Sequence, residues 1–272
     1  MTAWRLCENE LKKLPDNNKF THKYCDRFGS TLVVDAKFFR IKGHKYGYGL
    51  LWGIDYFKHD IPIHVIAPSE SYHSWAKYFS YYRITNNYPQ LLVCDDNVNI
   101  KIAAKDKFPE VKIQTCTNHF KENMRRNLRV RSDDTYRPFM NRIDDVFKGK
   151  RTDADMFKRL RALWHDYEHD SVCISVLTNI QRHHHELVGY RGFNRAPITS
   201  NMIEGLNSHL QGRLKSLRSF ENVKYAKLWL NGYVLKRRYT KWTDCRGKFK
   251  KLNGKRGVDQ TKKHGIDIPS YF

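Results

Sequence analysis

The chain has 272 residues, 40% hydrophobic and 14% aromatic, which is enough to bury a full core and too many for a disordered polymer. Its 50 Lys and Arg against 28 Asp and Glu give a net charge of +22. There is no apolar run of the roughly 18 residues a membrane span needs, and charges stand where a signal peptide needs an apolar centre, so no membrane span and a cytoplasmic location are expected.

The charge is uneven. Residues 205–272 hold 17 Lys and Arg against 4 Asp and Glu, a net of +13. Tyr, Trp and Phe interleave these basic residues. That pattern points to a polyanion, most simply nucleic acid held through its phosphates. The six cysteines (Cys7, Cys25, Cys94, Cys116, Cys173, Cys245) show no paired framework and read as reduced thiols.

Residues 1–29 read as a short lead. Leu6, Leu11 and Leu14 predict one helix that stops before Pro15, and so short a stretch leaves no room for a complete DNA-binding domain. The first strand is Thr31–Asp35. Strands are also predicted over 46–54 and 61–66, antiparallel across the polar turn between them. Ser69 can cap a helix over 71–82 that turns Trp75, Tyr78 and Phe79 inward. Leu91–Cys94 reads as a buried strand ending at Asp95 and Asp96. A helix over 98–107 follows and stops at Phe108-Pro109. A short strand over 111–114 leads into a basic helix over 117–129. This order suits an α/β sheet with an antiparallel and a parallel half.

Residues 131–196 are polar, lack a clear strand, and place Phe157, Leu160, Leu163 and Trp164 at helical spacing, which predicts an inserted helical subdomain. The stretch from Thr199 to Phe220 is predicted as one helix. Thr199, Ser200 or Asn201 can cap it, and Asn201 and Glu204 are spaced as in a capping box. Ile203, Leu206, Leu210, Leu214 and Leu217 form its apolar stripe. Glu204 falls at the edge of that stripe, and Asn207, Ser208, Gln211 and Lys215 share its side. Such a carboxylate can enter a polar cleft; the alternative is that it only caps the helix. An aromatic-rich helix over 221–240 and a loop-rich basic tail over 241–272 complete the chain.

Three acids stand out: Asp35 at the end of the first strand, Asp95 at the end of the fourth, and Glu204. Open α/β sheets place ligands at the C-terminal ends of adjacent parallel strands. If strands one and four pair, Asp35 and Asp95 meet there and need a cation between them. Mg²⁺ suits carboxylates and phosphate oxygens, and two ions about 4 Å apart can serve both the attacking and the leaving oxygen of a phosphodiester. The alternative is that each Asp is a strand-end turn residue.

The runs Val34-Asp35-Ala36-Lys37-Phe38-Phe39, Gly49-Leu50-Leu51, Asp55, Ile61-Pro62-Ile63, Ser69-Glu70 and Trp75 closely resemble the catalytic-domain opening of Mutator-type (MULE-like) transposases, including those of bacterial insertion sequences. So do Asp95 followed by Ala103, Phe108-Pro109, Cys116 and His119, and the run Thr199-Ser200-Asn201-Met202-Ile203-Glu204-Gly205-Leu206-Asn207. The resemblance covers about residues 30–240 and implies a DDE transposase. Its expected fold is an RNase H-like mixed sheet with an all-helical insertion before the last catalytic residue. Residues 30–130 and 197–240 would form the two parts of that core. The implied activity is cleavage of transposon ends and transfer of the freed 3′-OH into target DNA, using Mg²⁺ or Mn²⁺. The implied triad, which would also hold the metal, is Asp35, Asp95 and Glu204.

The Phe-Pro spacing favours Asp95 over Asp96, although the family often has a non-acidic residue after its second Asp. Family members also usually carry a long N-terminal DNA-binding region. An RNase H-like nuclease that never joins strands, or a truncated non-catalytic DNA-binding remnant, are the rival readings. Arg213, Lys215 and Arg218, with Arg125 and Arg126, are the candidate contacts to double-stranded DNA, and a nucleoid-associated location follows from that. A homodimer is carried as a resemblance only. Cys116-x-x-His119 matches a family motif. It has half of a zinc site's ligands, with His183, His184 and His185 as potential additions, but a packing or hydrogen-bonding role is preferred. Trp164 resembles a tryptophan that related transposases place near a DNA end, and a core role is preferred for it as well.

Overall fold

The computed structural model describes residues 3–272, with side chains from Cys7 onward. Leu6, part of the expected first stripe, lies outside the described side chains. The chain opens with α1 (Ala3–Lys13) and α2 (Asn17–Tyr24), then β1 (Thr31–Phe39), β2 (Tyr48–Asp55) and β3 (His64–Ala67). Next come α3 (Tyr72–Ile84), β4 (Leu91–Cys94), α4 (Val98–Lys107) and β5 (Lys112–Thr115). Four helices follow: α5 (Thr117–Asn127), α6 (Arg137–Val146), α7 (Asp153–Asp166) and α8 (Ser171–Leu187). The chain closes with α9 (Asn201–Leu217), α10 (Val223–Tyr239), a 3₁₀ turn at Gly247–Leu252 and α11 (Gly257–Thr261). Among the described residues no helix is long and apolar enough to cross a membrane.

The five strands form one mixed sheet in the order β3-β2-β1-β4-β5. β1 and β2 pair antiparallel, with Asp35 opposite Trp52 and Val34 opposite Gly53. Partners directly opposite share a face, and neighbours along a strand point to opposite faces. Asp35 and Trp52 therefore share one face, and Val34 and Gly53 the other. On the second face α3 approaches closely: a Cβ at Gly53 would lie 2.5 Å from the Tyr78 hydroxyl and 2.9 Å from Val34 Cγ1. Only glycine fits there.

Two expectations are corrected here. Asp35 does not end the first strand. β1 continues to Phe39 because Ala36–Phe39 keep pairing with Tyr48–Leu51, so Asp35 is the fifth residue of a longer strand. The cap of α3 also differs. Ser71, not Ser69, accepts the Ser74 N–H. Trp75, Tyr78 and Phe79 are buried, as expected.

The chain divides into two compact units. The first comprises Met1–Leu92, Asn97–Val111 and Asn201–Phe272. Here the N-terminal lead and the basic tail are fastened to α10. Arg238 is fully buried, and its guanidinium donates to both Asp60 carboxylate oxygens (2.8 and 2.7 Å), to Asn17 and Thr21 (2.9 and 2.6 Å) and to the Cys25 sulfur (3.3 Å). Thr261, in α11, also donates to Asp60. A buried charge is tolerable when it is paired and its donors are satisfied, as they are here.

The second unit comprises Val93–Asp96 and Lys112–Ser200. Its core draws Phe120, Met124, Phe139, Ile143, Leu163 and Leu177 from α5–α8, so the basic helix is built into the helical body. Trp164 packs against this core. Phe157 does not: it is 53% exposed and stacks on His184, while Met156 takes the inward position.

Candidate active site

α9 packs on the Asp35–Trp52 face of the sheet in the first unit. Its stripe of Ile203, Leu206, Leu210 and Leu214 is buried, which seats the helix. Asn207 is also buried, at 9% exposure. Its side-chain N–H donates to Asp35 Oδ2 over 2.7 Å, and its oxygen accepts the Trp52 indole N–H over 2.9 Å. The other Asp35 oxygen accepts the Ala36 N–H at 2.8 Å. Both carboxylate oxygens are thus held, and the rotation of the group is fixed.

Glu204 lies in the first turn of α9, one turn before Asn207 and half-buried. Residues three apart on a helix share a face. The bond that ties Asn207 to Asp35 therefore also governs where Glu204 is presented. A negative side chain in a first helical turn is favoured by the backbone dipole.

Asp95 and Asp96 are half-buried and follow β4 directly. β4 begins where Leu91 N–H donates to Ser30 C=O at 3.0 Å, just ahead of β1. Counted from the strand starts at Thr31 and Leu91, Asp35 and Asp95 are each the fifth residue.

In the second unit, the Cys116 N–H donates to Cys94 C=O at 2.7 Å. The segment leading to α9 is clipped to the start of α5. Thr117 N–H donates to Ile198 C=O (3.1 Å), Ser200 N–H donates to Cys116 Sγ (3.3 Å), and the Ser200 hydroxyl lies 3.4 Å from His119 Nδ1. Burial pushes the Cys116 thiol up, but hydrogen bonding by His119 and Ser200 outweighs it, and the net shift is downward. Cys116 and His119 thus both take part in the hydrogen bonds around Ser200. Ser200 stands immediately before α9 in the chain.

The profile of the family described as Transposase, Mutator family matches residues 58–245. The chain belongs to the Mutator family of transposases. No curated protein matches it. The part of this Mutator-family chain that matches includes Asp95, Cys116, His119 and Glu204, whereas Asp35 precedes it.

Lys215 and Arg218 line a groove of about 550 Å³ with Arg40, Phe38 and Gln211. Both are exposed. Gln211 and Lys215 lie on Glu204's side of α9, so this groove continues along the helix from the carboxylate. Arg213 lines a different groove, described below. Arg125 is bound to Asp144 through contacts of 2.6 and 2.7 Å, while Arg126 is exposed and lies 3.6 Å from Glu122. The sequence placed Asn207 beside Glu204 but gave no sign of its bond to Asp35, and it did not single out Trp52.

Proposed function

We propose that this transposase cleaves the DNA ends of its element and joins the freed 3′-OH to target DNA, with Asp35, Asp95 and Glu204 as its catalytic carboxylates. The observation that carries this reading is the Asn207–Asp35 hydrogen bond, because it couples the helix bearing Glu204 to the strand bearing Asp35. The strand that carries Asp35, β1, and the strand that Asp95 follows, β4, are neighbours in the strand order, which supports adding the third acid. Asp96 is the alternative third acid.

All three groups are hard oxygen donors, which fit Mg²⁺ or Mn²⁺. When bound, two such ions would stabilise the charge on the attacking and leaving oxygens. The protein's own part is positioning. Asn207 fixes the rotation of Asp35, and Lys215 and Arg218 hold backbone phosphates of the reacting strand along the groove beside α9. In the first step water adds to phosphorus and the P–O3′ bond breaks, leaving a 3′-OH and a 5′-phosphate. In the second, that 3′-OH adds to a target phosphodiester, and the displaced target 3′-oxygen leaves with a proton.

A labelled, pre-cut element end mixed with target DNA and Mg²⁺ tests the second step. Joined products that disappear in EDTA support the transposase reading. Metal-dependent cutting of uncut ends with no joining would replace it by a nuclease. DNA binding without either reaction would replace it by a non-catalytic remnant.

A further inference from the structure

Arg213 lies nine residues beyond Glu204, about half a turn round α9 on the opposite side. There a separate groove of about 710 Å³ opens in the first unit. Each of two helices lines it with a row at spacing four: His209, Arg213 and Leu217 from α9, and Tyr225, Trp229 and Tyr233 from α10. The Trp229 and Tyr233 rings are nearly parallel, 10° apart with centroids 5.7 Å apart, and both are only half-buried. The Tyr233 hydroxyl is fixed by His209 Nδ1 at 2.8 Å.

Charge accompanies the rings. Lys236 and Arg237 extend the wall of α10, and Glu10 is the one acid in the lining. Among the described residues no acid forms an ion pair with Arg213, Lys236 or Arg237. His209 is held below the usual imidazole range by burial, and then by Arg237 and Arg213, so the positive charge rests on the arginines and the lysine.

An aromatic wall flanked by Arg213, Lys236 and Arg237, of which Lys236 lies over Phe272 and Arg237 over Trp242, matches a flat heterocycle carrying phosphate. Within duplex DNA the base faces are covered by their neighbours, so only an unpaired base can offer one to a protein ring. We propose that this groove takes an unpaired base of a DNA strand against Trp229 and Tyr233, with its flanking phosphates on Arg213 and Lys236. This rests on DNA being the partner, not on the catalytic triad. It gives α9 two DNA-facing sides, one at Glu204 and Lys215 and one at Arg213.

The test uses the full chain in EDTA, so that no cleavage is needed. The probes are a duplex with one bulged 2-aminopurine, the same duplex fully paired, and free dAMP. The bulged duplex should bind about tenfold tighter than the paired one, with a change in 2-aminopurine emission as the base stacks. Trp229→Ala should abolish both the preference and the emission change. Arg213→Gln, at an exposed position, should abolish most of the preference for the bulged duplex. Equal affinity for the two duplexes, or a preference that survives Arg213→Gln and a folded Trp229→Ala, overturns the proposal. Competition by dAMP as strong as that of bulged DNA overturns the DNA strand as occupant in favour of a free nucleotide. Binding of neither duplex removes DNA as the partner, whereas binding of both alike removes only the groove.

Discussion

Asn207 donates its side-chain amide to the Asp35 carboxylate over 2.7 Å, and Trp52 dictates which way that amide points. The indole N–H can only donate, so the Asn207 oxygen must face it and the NH₂ must face Asp35. A strand residue, its cross-strand partner and a helix residue are locked together.

Asn207→Asp keeps the acceptor for Trp52 but sets a second carboxylate against Asp35. Two carboxylates in contact share a proton, so the cleavage pH profile should move upward by about one unit or more. The metal concentration giving half-maximal cleavage should change with it, while DNA affinity should not. A pH profile that stays in place, with activity lost only through unfolding, would make Asn207 a packing residue.

The clip at the start of α5 yields a second prediction. Cys116→Ser keeps an acceptor for the Ser200 N–H and should cost less than about 1 kcal/mol, whereas Cys116→Val strands that buried N–H and should cost about 1–3 kcal/mol. Thermal melts measure both. Metal analysis of the purified protein should show no stoichiometric zinc; one zinc per chain, lost in Cys116→Val, would overturn the hydrogen-bonding role.

Much of the fold was legible in the sequence. Leu91–Cys94 and Val98–Lys107 lie where expected because signals close in the chain mark them: the acids after the strand, and Phe108-Pro109 after the helix. The apolar stripe of α9 was also local. What the sequence hid depends on residues far apart. α2 has weak helix formers (NNKFTHKY) and is defined by the Asp16 cap and by Phe20 packing against Leu235 and Tyr239. The full length of β1 depends on its register with β2, and Trp52 and Asn207 meet across 155 residues. The two acids, Asp35 and Glu204, could be picked out as candidates; the amide that connects their elements could not.

The Arg238–Asp60 pair also spans most of the chain, at 178 residues. Arg238→Met leaves a buried carboxylate unpaired and should destabilise the protein by about 3–5 kcal/mol in urea unfolding. Adding Asp60→Asn should recover part of that loss. No recovery would mean that the bonds to Asn17, Thr21 and Cys25 matter more than the charge pair.

Stability should depend on pH in acid. Burial lowers His64 to about 4, opposed by Asp16 and assisted by Arg238, and lowers His59 to about 4, assisted by Arg237 and opposed by Asp244. Their contributions are complete above the usual value of 6.5 and are lost as pH falls toward 4. Asp55 acts in reverse. Burial raises it to about 6, against hydrogen bonds from Lys58, Gly29 and Phe57, so its contribution grows as pH falls from 6 toward 3.8. Melting temperature should therefore fall between pH 6.5 and 4, more gently in the wild type than in Asp55→Asn. A flat profile, or a gentler one in the variant, would contradict these assignments.

The central claim is that Asp35, Asp95 and Glu204 act together on DNA. The most direct measurement is nicking of labelled element-end DNA with Mg²⁺ by the wild type, Asp35→Asn, Asp95→Asn, Asp96→Asn and Glu204→Gln, each checked for folding and DNA binding. The account predicts EDTA-sensitive nicking by the wild type and Asp96→Asn, and its loss by about a thousandfold or more in the other three, which still bind DNA. Full nicking by folded Asp35→Asn or Glu204→Gln would contradict it.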